Sequence, residues 1–429
     1  MSASMASSLP DQALPAWRDP IAWAKAADIV AVLIALSLPW STSLVGIFAT
    51  ALLVSMAPFL DVEAFLQSLK RPICLLPIGL FVLAVVGMLW SDAPWGARLY
   101  AISPTAKLLV LPVLLFHFER SARGVQVLVA FLVSCALLLA MSWIVAFDPR
   151  LALRSGASYG VPVKDYIDQS QEFALCAVAL AYPVITLLRT KRTWLAVLLI
   201  AVSLSFVINM MFVIVSRTAL VTMPILLAVF ALLHLKWRSI VIILCAATVF
   251  AGVAWATSPH LRWTAETFVR DYRLYKEENV PTSLGLRLEY WKKSLRFLAE
   301  APVIGHGTGS IRGLFEEAAT GSKDLASADV IGNPHNQTLN VAIQWGGIGI
   351  LLLYAMWLVH LRLFRGEGLA AWVGLLVVVQ NIFTSLFNSH IFDFHEGWMY
   401  VLGVGIAGGM VLRSGSREVA PRPGNSVKS

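Results

Sequence analysis

The segment Asn333-Pro-His-Asn-Gln-Thr338 sets a histidine where a polar stretch gives way to the apolar run Leu339 to Trp345. Asparagine is a strong helix cap and proline a favoured first helical residue, so the spacing predicts a helix that opens at Asn333 and carries His335 in its first turn. A helix start offers unpaired N–H groups and the positive end of the helix dipole, which favour a phosphate. An imidazole beside that phosphate can take a proton from a nucleophile. Two arginines can extend the anion site: Arg217, in a very short connection between apolar runs, and Arg287, in Leu286-Arg-Leu-Glu-Tyr-Trp291. Their charge is permanent and their donors match phosphate oxygens in pairs, so they can replace a metal ion at a leaving phosphate. Blander readings stand beside these. A histidine at a helix start is commonly a cap or faces solvent. The cations around Arg287 can simply balance Glu266, Asp271, Glu277, Glu278, Glu289, Glu300, Glu316 and Glu317 on a solvated surface.

The elements that must position these side chains are membrane helices. The chain has 429 residues, 58% hydrophobic and 14% charged, with a mean hydropathy of +0.75. Such a composition leaves no room for an ordinary soluble enzyme. Runs of about 20 apolar residues cross a bilayer as helices, and about twelve are expected, from Ala26–Trp40 and Leu44–Leu60 to Leu369–Leu386 and Trp398–Leu412. The first two are short, and only Trp40-Ser-Thr-Ser43 separates them, so they could form a hairpin that fails to span. The expected fold class is all-α: a polytopic membrane helical bundle with one large helical loop. It divides into an N-terminal transmembrane region, 1–257, the loop, 258–337, C-terminal helices, 338–412, and a tail, 413–429. The first twenty residues are polar and carry Asp11 and Asp19, unlike a cleavable signal sequence.

Basic residues recur in alternate connections: Lys70-Arg71, Arg120 with Arg123, Arg189 to Arg192, Lys236 with Arg238, Arg362 with Arg365, and Arg413 with Arg417. By the positive-inside rule both termini are cytoplasmic, and the loop, with the segment Asp148 to Glu172, lies outside. This explains the net charge of +8 without a nucleic-acid partner, for which no basic block or binding motif is present. It also sets Arg217 and Arg287 against the topological bias. Cys74, Cys135, Cys176 and Cys245 all lie in apolar runs far apart, which suggests neither disulfides nor a zinc site.

Within the loop, Leu286 to Ala299 has helical apolar spacing and reads as an amphipathic helix at the membrane surface. Pro302-Val-Ile-Gly-His-Gly-Thr-Gly309 then reads as a flexible turn, with His306 between two of its glycines. Gly346 and Gly349 would allow close helix approach. Asp393-Phe-His-Glu396 could be a metal site or a second base, but four residues in one turn cannot close a coordination sphere, so a structural or acceptor-positioning role is expected and no metal.

Ser216-Arg217 at a span end, Arg287-Leu-Glu-Tyr-Trp291 leading into Ala301-Pro-Val-Ile-Gly-His-Gly307, and His335-Asn336 followed by Gly346-x-x-Gly349 together resemble the O-antigen ligase (WaaL) family of the O-antigen ligase and polymerase superfamily. The resemblance runs from about Trp194 to Leu361, and departs at Arg217-Thr-Ala-Leu-Val221, where the family carries its leucine one position later. It implies a glycosyltransferase of the type called GT-C, in the bacterial inner membrane with its site facing the periplasm. That enzyme would move a glycan from undecaprenyl diphosphate to the lipid A-core oligosaccharide, inverting the anomeric centre without metal or cofactor. His335 would then be the catalytic base, and Arg217 and Arg287 would bind diphosphate. Asp393, His306, Lys164, Asp168 and Asn336 would be candidate acceptor or sugar contacts. Partners would be the lipid-linked donor, the core acceptor and membrane lipids. The same resemblance leaves an O-antigen polymerase or a protein O-oligosaccharyltransferase open. A lipid-linked glycan transporter is a rival of another class, but it would show two matching halves, and no internal repeat is present.

Overall fold

The computed structural model describes residues 19–154, 159–278, 280–320 and 328–419; most of the polar leader and the end of the tail lie outside the described residues. Among those described, every regular element is helical. In chain order the α-helices are α1 (Pro20–Ser37), α2 (Thr42–Met56), α3 (Val62–Leu69), α4 (Pro72–Val86), α5 (Trp95–Ala106), α6 (Val110–Arg120), α7 (Gly124–Phe147), α8 (Tyr166–Ala179) and α9 (Ala181–Arg189). There follow α10 (Thr193–Phe212), α11 (Arg217–His234), α12 (Trp237–Thr257), α13 (Pro259–Glu278), α14 (Ser283–Glu300), α15 (Ile311–Ala319), α16 (Gln337–Leu363), α17 (Leu369–Thr384) and α18 (Phe394–Val419).

The protein is a polytopic helical membrane protein. Among the described residues, ten segments are long and apolar enough to cross a bilayer, two of them built from paired short helices: Trp95–Arg120 joins α5 and α6, and Tyr166–Arg189 joins α8 and α9. The short first pair qualifies, because Pro20–Ser37 and Thr42–Phe59 each have 18 residues, about 27 Å of helix. Asp19 caps α1 and Ser41 caps α2 through their side-chain oxygens, so each helix starts sharply. Of the remaining two expected spans, α17 is apolar but has only 16 residues. The other, α18, spends its first turn on His395 and Glu396, both buried in protein.

Small residues let the central helices meet. A Cβ on Gly405 or Gly409 of α18 would stand 2.7 Å from the Leu114 side chain or the Leu115 carbonyl of α6, so the two helices touch backbone to backbone. Outward, apolar side chains such as Val82, Val133, Ile242 and Leu351 are exposed, as a lipid-facing surface requires.

The long connection between α12 and α16 is itself folded. Tyr290 and Phe297 of α14, Ile311 and Phe315 of α15, and Ile343 of α16 form a second apolar core that fastens this cap to the bundle. Pro302 to Gly309, expected as a flexible turn, is instead bound to α16 on both sides of a break. His306 N donates to Ile343 O (2.8 Å) and Gly307 N to Gln344 O (2.8 Å), while Gly347 N donates to Pro302 O (2.8 Å). Gly346 makes this possible with φ +56° and ψ −150°, and a Cβ there would stand 2.5 Å from the Val303 backbone. Gly346 therefore admits a loop, not a neighbouring helix, and α16 consists of an outer and an inner piece.

Candidate active site

His335 lies one residue outside α16. The helix is capped by Asn336, whose side chain accepts from Leu339 N (3.1 Å), and not by Asn333 as the sequence suggested. Asn333 is diverted because its Oδ1 accepts from His335 N (3.0 Å) and from Ser389 Oγ (2.7 Å). The turn holds His335 at φ +52°, a left-handed conformation that non-glycine residues seldom adopt. The helix start is less open to a phosphate than expected, since Gln337 N already donates to Ser385 O (2.9 Å) and Leu339 N to the cap.

The same bonds determine which imidazole nitrogen carries the proton. His335 N–H must donate, so Oδ1 of Asn333 faces it and Nδ2 of Asn333 faces Asn388 Oδ1 (3.0 Å). Asn388 Oδ1 only accepts, and it lies 2.9 Å from His335 Nδ1, so Nδ1 carries the hydrogen. Asn388 Nδ2 in turn donates to Asp393 Oδ2 (2.6 Å). His335 Nε2 is left with a lone pair and no partner among the described residues. Its ring is half-buried and lies 6.2 Å from the Tyr290 ring at 28°, and the Tyr290 hydroxyl donates to Asp329. Burial, then the positive charge of Arg287, hold the His335 pKa below the usual imidazole range.

Arg287, on α14, is half-buried and makes no hydrogen bond or ion pair with any described residue. Burial, and the like charge of Arg217, push its pKa down, so the two guanidiniums share one electrostatic field. Arg217, at the start of α11, donates to Asp271 Oδ2 of α13 (3.2 Å) and stands 5.9 Å over the Phe268 ring. The structure thus gathers His335, Arg287 and Arg217 at one end of the bundle. Elements far apart in sequence supply them: α11, α14 and the approach to α16.

The secondary candidates divide differently. Asp393 is at the edge of the site, its pKa pushed up to about 7 by burial and pulled back by Lys107, which donates to the Phe392 and Asp393 carbonyls. Asn336 is committed to capping, and His306 donates through Nε2 to Phe297 O (2.8 Å). Lys164 donates to Leu38 O, and Asp168 pairs with His395 between α8 and α18. Those four are held by protein groups. His390, Asp393 and Glu396 bring one possible ligand atom each within 4.8 Å of one another. Sequence reasoning missed Asn388; the available signal was the polar triplet Asn388-Ser389-His390 in the connection between two apolar helices.

Residues 202–354 match the family model described as O-antigen ligase. That segment runs from α10 to the inner piece of α16 and contains His335, Arg287 and Arg217. A stretch of 146 residues is 28% identical to an uncharacterized protein of Haemophilus influenzae, covering 32% of this chain and 36% of that protein. The chain therefore matches about a third of that relative's length.

Proposed function

From the premise that residues 202–354 carry the signature of the O-antigen ligase superfamily, whose members have ligase or polymerase-type glycosyltransferase activity, we propose that this protein is an O-antigen ligase. It transfers a glycan from undecaprenyl diphosphate to the lipid A-core oligosaccharide. The observation that carries the reading is the pairing of an unpartnered, half-buried Arg287 with a histidine whose Nε2 is open. A buried cation without an acidic partner is stabilised by an anion from outside the protein.

The chemistry follows from this arrangement. His335 Nε2 accepts the proton of an acceptor hydroxyl, and the oxygen attacks the anomeric carbon from the face opposite the diphosphate. The bond from that carbon to the diphosphate oxygen breaks, and the leaving charge falls on Arg287 and Arg217. The imidazolium then returns its proton to solvent. Backside displacement inverts the anomeric centre, and two fixed guanidiniums serve where a divalent metal would otherwise be needed. Asp393, whose side chain is 31% exposed, is the secondary candidate best placed to meet a sugar hydroxyl. The fold is of the GT-C type on this reading. The positive connections support a bacterial inner-membrane protein with both termini in the cytoplasm and the site facing the periplasm.

The test uses purified protein, lipid-linked O-antigen and separate lipid A-core, with a chelator present, comparing wild type with His335→Ala and Arg287→Ala. Chelator-resistant transfer to the core, lost in both variants, is expected. Elongation of the lipid-linked glycan without transfer to core would make the protein a polymerase.

A further inference from the structure

At the far end of α1 from the site lies a cavity of about 390 Å³. The distance is clear from α1 itself: Leu38, just past its end, accepts from Lys164 near the site, while Ile21 to Asp28 line the cavity. The other walls come from the last turn of α6, the connection 121–123, and the approach to α3.

The charges around this space are unequally committed. Asp28 is buried and accepts from Ser121 Oγ (2.6 Å) and bonds His117 Nε2 (2.8 Å), with Arg123 Nε at 3.8 Å. Asp61 caps α3 by accepting from Ala64 N (3.0 Å). Neither carboxylate is open to a ligand amine. Arg120, by contrast, is held 3.6 Å over the Phe116 ring and donates one hydrogen bond, to Phe116 O (3.0 Å), with Glu119 Oε2, which Arg71 already binds, 3.8 Å from its Nη1. It keeps further N–H donors for the cavity. Lys25 is exposed along the same wall. Beside the opening, α3 turns Val62 (60% exposed) and Leu66 (53% exposed) outward, as a short helix at a lipid–water boundary does.

A preorganised arginine, an exposed lysine, committed acids and an interfacial helix together fit a phosphate-bearing headgroup between helices. We propose that this cavity binds the phosphodiester headgroup of an anionic membrane lipid, with Arg120 and Lys25 as its cationic contacts. The bound lipid would bridge α1, α3 and α6, and its occupancy is separable from glycan transfer because the two sites lie at opposite ends of α1.

The experiment uses the full chain in a neutral detergent, titrated with dihexanoyl-phosphatidylglycerol, dihexanoyl-phosphatidylcholine or inorganic phosphate and followed by calorimetry. Wild type should bind the glycerol lipid and hardly bind the choline lipid. Lys25→Ala/Arg120→Ala should weaken the first about fivefold for each cation removed, with wild-type glycan transfer retained. If that double variant does not fold, Lys25→Gln alone, on an exposed position, should still weaken binding about fivefold. Equal binding of the two lipids, or unchanged binding in a folded variant, would overturn the site. Phosphate binding as tight as the lipid and lost in the same variants would overturn the lipid as its ligand in favour of a free anion.

Discussion

Two histidines at opposite ends of α16, one just before its start and one in its last turn, live under opposite rules. His360, near its inner end, is fully buried. Its Nε2 bonds Ile73 O (3.0 Å) and its Nδ1 bonds the Tyr400 hydroxyl (2.6 Å). Because a carbonyl only accepts, Nε2 carries the hydrogen and the tyrosine donates, so the ring joins α4, α16 and α18 and has nothing left to offer. His335, just before the outer end, spends one nitrogen on Asn388 and keeps the other. The arginines repeat the contrast: Arg71 lies bidentate on Glu119 at 2.8 and 3.1 Å, whereas Arg287 has no described partner. Residue type is the same in each pair. Spare bonding capacity is what distinguishes His335 and Arg287, and it is the ground for proposing a site there.

The sharpest way to break the comparison is to remove both histidines separately. His335→Ala should lower kcat by about 10²–10⁴ with its melting behaviour unchanged. His360→Ala should do the reverse, losing about 2–5 kcal/mol through two stranded buried partners and the lost ring while the folded fraction still transfers glycan. Equal activity loss in a folded His360→Ala would sink the contrast. Next in size, Arg287→Ala should lower kcat by about 10²–10³, as removal of one charge-stabilising donor does; single-turnover transfer would measure it. Asn388→Ala frees the imidazole to choose either tautomer, and should cost roughly tenfold to a hundredfold in kcat with little change in donor KM. A Cβ at Gly346 has no room and its φ/ψ belongs to glycine, so Gly346→Ala should destabilise by about 1–3 kcal/mol, read by thermal unfolding.

The smallest effect is on pH dependence. The base acts when neutral, and burial together with Arg287 keeps the His335 pKa low, so the acid limb of the rate profile should fall below pH 6.5. Removing the positive charge raises that pKa, so residual activity of Arg287→Gln should show its acid limb shifted upward. A limb that stays put would mean that Arg287 does not face the imidazole.

The membrane helices were legible because apolar run length is a one-dimensional property, and the long-loop helix and the candidates Arg217, Arg287 and His335 could be named from local type and spacing. What escaped was decided by partners distant in sequence. Asn333 looked like a cap, yet Ser389 and Asn388 claim its side chain from a connection more than fifty residues on. Three glycines between Pro302 and Gly309 looked flexible, and nothing in that stretch reveals that α16 opens at Gly346 to receive it. Asp168 and Lys164 read as candidate sugar contacts, yet His395 and the Leu38 carbonyl engage them. Polar side chains read locally are ambiguous, because a hydrogen bond is satisfied equally well by a neighbour or by a residue from another helix.

The bond from His335 to Asn388 also carries a consequence for biosynthesis. The partner that orients the imidazole lies between α17 and α18, which leave the ribosome after α11, α14 and α16. Until that pair is in place, a nascent chain already displays both arginines but leaves the His335 imidazole without Asn388. On the proposed function, a nascent chain can therefore form its anion site before its base is oriented, and competence waits for α17 and α18.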